Sequence, residues 1–112
     1  MIISNKDIIL LKKLYDSNKS ISAFQLAKEL SGQKENYTLT KISIGMKKHL
    51  DKLARYGLLK LSSINKHSYY SINEKNVYFP NKTIIKVDDK VINLGLTCFL
   101  KQGKECFFKM LT

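Results

Sequence analysis

Apolar residues recur along this chain with two different periods, and the change from one to the other falls at Gly57. Before it the spacing is helical. Ile8, Leu11 and Tyr15, with Leu10 and Leu14 beside them, give an apolar side to a helix over residues 5–17. Ser4 can cap that helix, and Asp7 can return a bond to the Ser4 amide, which makes a capping box. A polar turn, residues 16–20, follows. Ser22 and Gln25 then form a second capping box, with Ile21 and Leu26 as a hydrophobic staple, so a second helix begins at Ala23. Its expected buried stripe is Phe24, Leu26, Ala27 and Leu30, and Gly32 is its expected left-handed stop. On a wheel of about 100° per residue, Leu39, Ile42, Met46, Leu50, Leu53 and Gly57 share one side of a third helix, for which Thr38 or Thr40 is the expected cap.

Beyond Gly57 the period becomes two. Residues 58–61 and 67–72 alternate as strands joined by residues 62–66, where Asn65-Lys66 suits a tight turn. After a polar break at residues 73–76, residues 83–94 have the composition of a second hairpin around Asp88-Asp89, and residues 95–111 that of a third with its turn at Gly103. A C-terminal helix is the rival for that last segment; strands are the reading adopted. The expected class is therefore α+β, with three helices and a hairpin in residues 1–76 and a β-rich extension, residues 77–112, packed on the same domain.

Charge gives this frame a direction. Twenty basic residues against nine acidic ones leave a net +11, which concentrates polyanions around so small a chain. Between Tyr37 and Lys66 stand seven basic residues (Lys41, Lys47, Lys48, Lys52, Arg55, Lys60 and Lys66) and one acid, Asp51, so +6 of the +11 lies in about a quarter of the sequence. Opposite its leucine stripe the third helix presents Lys41, Ile44, Lys48, Asp51 and Arg55, with Thr40, Lys47 and Lys52 on its shoulders. A helix anchored on one side and basic on the other matches a duplex groove; a lysine-rich solvated surface is the plainer alternative. Ile44 can meet a thymine methyl or can be an ordinary exposed apolar residue. Gly45 costs about 1 kcal/mol of helix stability relative to alanine, which a close approach of helix two or of DNA would explain. His49, at the edge of the stripe, reads as a partly buried histidine bonded to a backbone carbonyl.

The sequence carries no glycine-rich phosphate loop, nucleophile elbow or His-Glu-x-x-His, and its nine carboxylates are scattered, so we expect a binder and not an enzyme, with no cofactor and no small-molecule substrate. Two cysteines without a Cys-x-x-Cys, and two histidines remote from them, are a poor set of metal ligands. No apolar run reaches the length of a membrane span and no signal peptide is credible, so the expectation is a soluble, cytoplasmic protein without a membrane partner.

The spacing His49-Leu50, Leu53, Gly57-Leu58-Leu59 resembles the recognition helix and first wing strand of winged helix-turn-helix DNA-binding proteins, in which a helix stops at a glycine and turns directly into an apolar strand. The resemblance spans roughly residues 4–73. Small size, richness in lysine, isoleucine and asparagine, and two C-terminal cysteines also look like the small winged-helix proteins of archaeal spindle-shaped viruses, which would place the chain in a host cell cytoplasm. Residues 32–38 depart from the pattern, being longer than the compact turn between helices two and three.

The resemblance implies double-stranded DNA as partner and transcriptional regulation as role. Thr40, Lys41, Ile44, Lys47 and Lys48 would then approach bases and phosphates, Lys52 and Arg55 the backbone, and Asn65, Lys66 and His67 would sit at the wing tip. The first half of helix three offers no arginine, asparagine or glutamine for bidentate base reading, so selectivity would rest on shape and AT preference. A protein- or RNA-interaction module on the same scaffold, or a nucleic-acid enzyme with unseen active residues, are the alternatives. The chain is expected as a monomer or a homodimer. In a hairpin centred on Gln102, Cys98 and Cys106 lie opposite each other, and the archaeal viral resemblance favours their oxidation to a disulfide.

Overall fold

A computed structural model describes residues 1–80, 84–93 and 97–110. The chain is α+β. Helix α1 (Asn5–Ser17) opens with the expected capping box: the Asp7 amide donates to Ser4 Oγ at 3.3 Å and the Ser4 amide donates to Asp7 Oδ2 at 2.9 Å. Strand β1 (Ile21–Ser22) leads into α2 (Ala23–Ser31), where the Gln25 amide donates to Ser22 Oγ at 3.2 Å. Gly32, at φ 69°, ends α2 in the left-handed region as its missing Cβ allows.

Helix α3 (Asn36–Arg55) starts earlier than expected. Glu35 precedes it without a side-chain capping bond, whereas Thr40 lies inside the helix and donates its hydroxyl to the Asn36 carbonyl at 2.8 Å. The connection after α2 therefore shortens to residues 32–35, and the apparent excess of loop length becomes the first turn of α3. At its other end the Gly57 amide donates to Ala54 and the Leu58 amide to Leu53, both at 3.0 Å, which is the Schellman pattern with Gly57 at φ 80°.

Strands β2 (Leu59–Ile64) and β3 (His67–Ile72) follow, paired from Leu59↔Ile72 to Ile64↔His67. Asn65 (φ 51°) and Lys66 (φ 66°) form a two-residue turn with both residues left-handed, the geometry that matches strand twist. β1 joins β3 on its other side, Ile21 opposite Tyr70, giving an antiparallel sheet in the order β1-β3-β2. Outside the core the hairpin runs on into solvent: from Lys60 onward every residue of β2 is exposed.

The remaining chain is β throughout its described part. It comprises β4 (Val77–Tyr78), the hairpin β5 (Ile84–Val87) and β6 (Lys90–Asn93) turning at Asp88-Asp89, and the hairpin β7 (Thr97–Gln102) and β8 (Glu105–Met110) turning at Gly103-Lys104. β4, β7 and β8 form a second antiparallel sheet in the order β4-β7-β8. Thr83, Leu94, Gly95, Leu96 and Leu111, assigned to the ends of the two expected hairpins, lie outside the described residues.

One core joins these parts. Ile8, Leu11, Leu14, Leu26, Leu50, Leu53, Leu58 and Tyr70 pack in the same cluster as Val77, Phe79, Cys98 and Leu100. Leu50 and Leu53 have no exposed surface, so truncating either to alanine would cost about 2–5 kcal/mol. The stripe of α2 is narrower than expected: Leu26 and Ala27 are buried, but Phe24 and Leu30 are more than a third exposed at its edges. Among the described residues no helix is long and apolar enough to cross a membrane.

Candidate nucleic-acid interface

Burial of Leu39, Leu50 and Leu53 fixes the rotation of α3 about its axis, and that rotation turns Lys41, Ile44, Lys47, Lys48 and Arg55 outward. Ile44 is 61% exposed in the middle of this face. The Lys41 ammonium lies 4.6 Å from the centroid of the Tyr37 ring, and Tyr37 is itself exposed, so the first two turns carry a cation backed by an aromatic plate. Thr40 is exposed too, its hydroxyl proton committed to the helix backbone and its lone pairs free to accept.

The projecting hairpin supplies the second wall. Lys47 lines a groove of about 440 Å³ shared with Lys66, His67 and Tyr69 of the hairpin and Phe24 of α2. It also borders the neighbouring groove between α3 and β2, where Asp51, Arg55, Leu61 and Ser68 meet. Asn65 and Lys66 occupy the exposed tip, with Ile64 beside them, 56% exposed. Nine of the ten expected DNA-facing residues are exposed (Thr40, Lys41, Ile44, Lys47, Lys48, Arg55, Asn65, Lys66 and His67), and of these Lys47, Arg55, Lys66 and His67 line the grooves between helix and hairpin, whereas Lys41 borders a groove on the other flank of α3.

Lys52 is the exception. Its ammonium pairs with Asp7 Oδ2 at 2.5 Å, and its side chain is only 24% exposed, so it anchors α3 to α1 instead of reaching outward. His49 joins the same carboxylate, Nδ1 to Oδ1 at 2.8 Å, where a backbone carbonyl was expected. An ionised carboxylate only accepts, so Nδ1 carries the proton that faces it. Burial by itself would raise the pKa of Asp7, but Lys52, the Ser4 amide and His49 together hold it below its ordinary value. Asp51, the neighbour of Lys52 in the chain, is held by the Tyr70 hydroxyl, which donates to it at 2.5 Å. Burial and the Asp51 charge push the Tyr70 phenol well above its ordinary range.

The start of α3 is a poorer phosphate site than the sequence suggested. Glu35 stands at the N-cap, so the residue at the positive end of the helix dipole is itself an acid, which disfavours a second anion there. Gly45 needs a different account as well. A Cβ built there meets nothing within 4 Å, so neither helix two nor any other of the described residues requires glycine. It opens onto a groove of about 460 Å³ lined by Ile9, Leu30, Ile42 and Met46, on the flank of α3 away from the hairpin.

The strand register is not the one on which the expected disulfide rests. Strand β7 pairs with β8 as Cys98↔Lys109 and Lys101↔Cys106, a register centred on Gly103-Lys104 and not on Gln102. Cys98 thus points into the core and Cys106 to the opposite, exposed face, as free thiols. No protein-family model matches this chain, and no characterised protein or solved structure shows significant similarity to it.

Proposed function

We propose that the chain is a winged-helix protein that binds duplex DNA, with α3 as the groove-reading helix and the β2–β3 hairpin as the wing, and that it acts as a transcriptional regulator. The observation that carries this reading is that Lys47 of α3 lines one groove with Lys66 of the hairpin and a second with Arg55, on a helix whose Lys41, Lys47, Lys48 and Arg55 are exposed while its leucines are buried. The order α1-β1-α2-α3-β2-β3, with β1 closing the sheet beside β3, supports it. Phosphate contacts supply most of the affinity in this reading, and Lys52 has no part in them. Asn36 is the one amide side chain on the early turns of α3, so direct base reading is sparse, and selectivity follows groove shape with Ile44 favouring thymine.

Fluorescence anisotropy with a labelled duplex at two salt concentrations, against single-stranded RNA and an acidic polypeptide, tests this. Duplex should bind best and weaken steeply with salt. Replacing Lys47 and Lys48 together by alanine should lower affinity and flatten the slope of log K against log salt by about 2. Unchanged affinity and slope in the double variant would remove α3 as the reader, and tighter binding to RNA or polyacid than to duplex would remove DNA as the partner.

A further inference from the structure

Strand β8 is the last strand of its sheet, and all six of its residues are exposed. In a two-residue hairpin the pair flanking the turn exchanges both backbone hydrogen bonds, and bonded pairs alternate from there. With Gln102 opposite Glu105, the amides and carbonyls of Glu105, Phe107 and Lys109 face β7, and those of Cys106, Phe108 and Met110 face outward. No described strand lies beside them. The edge has few of the usual protections: it has no proline, no bulge interrupts its pairing, and its centre is Cys-Phe-Phe. One face adds an aromatic row, Tyr78, Phe99 and Phe108, aligned across three strands with ring centroids 6.3 and 6.4 Å apart. Phe108 at its rim is 65% exposed. Open backbone and exposed aromatic surface on one strand mark an interface.

The sequence of the strand selects its occupant. Glu105 and Lys109 stand symmetrically about Phe107. When the strand pairs with its own copy antiparallel about Phe107, each Glu105 falls opposite a Lys109, and Cys106 falls opposite Phe108. That register also has the correct hydrogen-bonding phase, because Cys106 and Phe108 are the outward-facing residues that must exchange bonds. Parallel pairing would set glutamate against glutamate and lysine against lysine, which is repulsive.

We propose that the protein is a homodimer in which two β8 strands pair antiparallel about Phe107, joining two three-stranded sheets into one of six strands. The pairing needs no DNA; if the winged-helix reading also holds, the dimer carries two α3 helices related by a two-fold axis and reads an inverted repeat.

Sedimentation equilibrium of the full chain should give twice the monomer mass of 12.9 kDa. E105K and K109E should each dissociate the dimer by setting like charges face to face, and the double variant E105K/K109E should restore it. In a C106S background, F107C should form an intermolecular disulfide in air, since the axial pair is a non-bonded one with Cα atoms about 4.5 Å apart, inside the span a disulfide bridges. A monomeric wild type overturns the proposal. So does a dimer that both single reversals leave intact, because its interface must then lie elsewhere. Failure of F107C to cross-link removes the register. Circular dichroism of each variant checks that these exposed substitutions leave the fold in place, and a loss of DNA binding without a change in mass would indict the DNA reading and not the dimer.

Discussion

The substitution that most directly tests the architecture behind the basic face is Asp7→Asn. Asp7 has no exposed surface, and its carboxylate receives Lys52, His49 and the Ser4 amide, so one side chain fastens the start of α1 to the middle of α3. Hydrogen bonds to charged groups contribute about 1.5–3 kcal/mol each, and breaking a buried pair by removing one partner costs about 3–5 kcal/mol. Here both partners keep a path to water, with Lys52 24% and His49 32% exposed at the side chain, and asparagine still accepts from Ser4. Solvation therefore recovers part of the loss, and we expect a cost of about 2–3 kcal/mol at neutral pH. Pairing Asp7→Asn with Lys52→Met in a double-mutant cycle should give a coupling of about 1–2 kcal/mol.

The pH dependence has a fixed sign. The folded-state pKa of Asp7 lies below its ordinary value of 3.8, so as pH falls the unfolded chain takes up the proton first. The stability contributed by Asp7 is thus complete above the unfolded value and is lost as pH drops through the folded one. Urea unfolding at pH 7 and at successive steps below pH 4 should show wild type and Asp7→Asn converging at the acid end. Equal midpoints at pH 7, or a gap that persists undiminished in acid, would refute the account.

Three further expectations follow from single positions. Gly45→Ala should raise stability by about 0.5–1 kcal/mol in thermal melts, since its Cβ enters open space in a helix interior; a loss would mean that the flank of α3 is not open. Tyr70→Phe should cost about 1–2 kcal/mol by removing the donor to Asp51 from the otherwise buried ring, read as a shift in urea midpoint without a change in slope. Ellman's reagent should titrate Cys106 rapidly in the native protein and Cys98 only in denaturant, because burial both covers the Cys98 thiol and pushes its pKa up to about 11; two equally fast thiols would contradict the β7–β8 register.

What the sequence made legible was local. The Ser4–Asp7 box, Gly32 and the stop at Gly57 each depend on residues within a few positions of one another and stand as read, while of the expected Ser22–Gln25 box the structure shows the Ser22 cap alone. The hairpins were equally readable from their alternation and from turn residues that tolerate positive φ, although Lys66 adopts it as well as Asn65. The failures were of two kinds. A slip in one hairpin centre moved Cys106 to the opposite face of its sheet, because side chains alternate and the register depends on where the turn falls. The short strand β1 was missed because its two residues are strand only by virtue of Tyr69 and Tyr70, far along the chain.

The charge of the third helix shows why its exposed cations could be expected from the sequence but not counted there. A helical wheel assigns Lys52 to the shoulder of the basic face, and nothing within α3 says otherwise. The deciding partner is Asp7, 45 residues away, already explained locally as half of a capping box. That local explanation is correct and incomplete, since a carboxylate has two oxygens and the box uses only part of their capacity. Once α1 packs on α3, the buried carboxylate requires a cation and further donors, and the Lys52 ammonium and the His49 N–H are the groups within reach. Of the seven basic residues between Tyr37 and Lys66, one is therefore directed inward by a contact no periodicity encodes, and the exposed field of α3 rests on Lys41, Lys47, Lys48 and Arg55. Removing Lys52 should accordingly lower stability far more than it changes the salt slope of binding, whereas removing Lys47 and Lys48 should do the reverse.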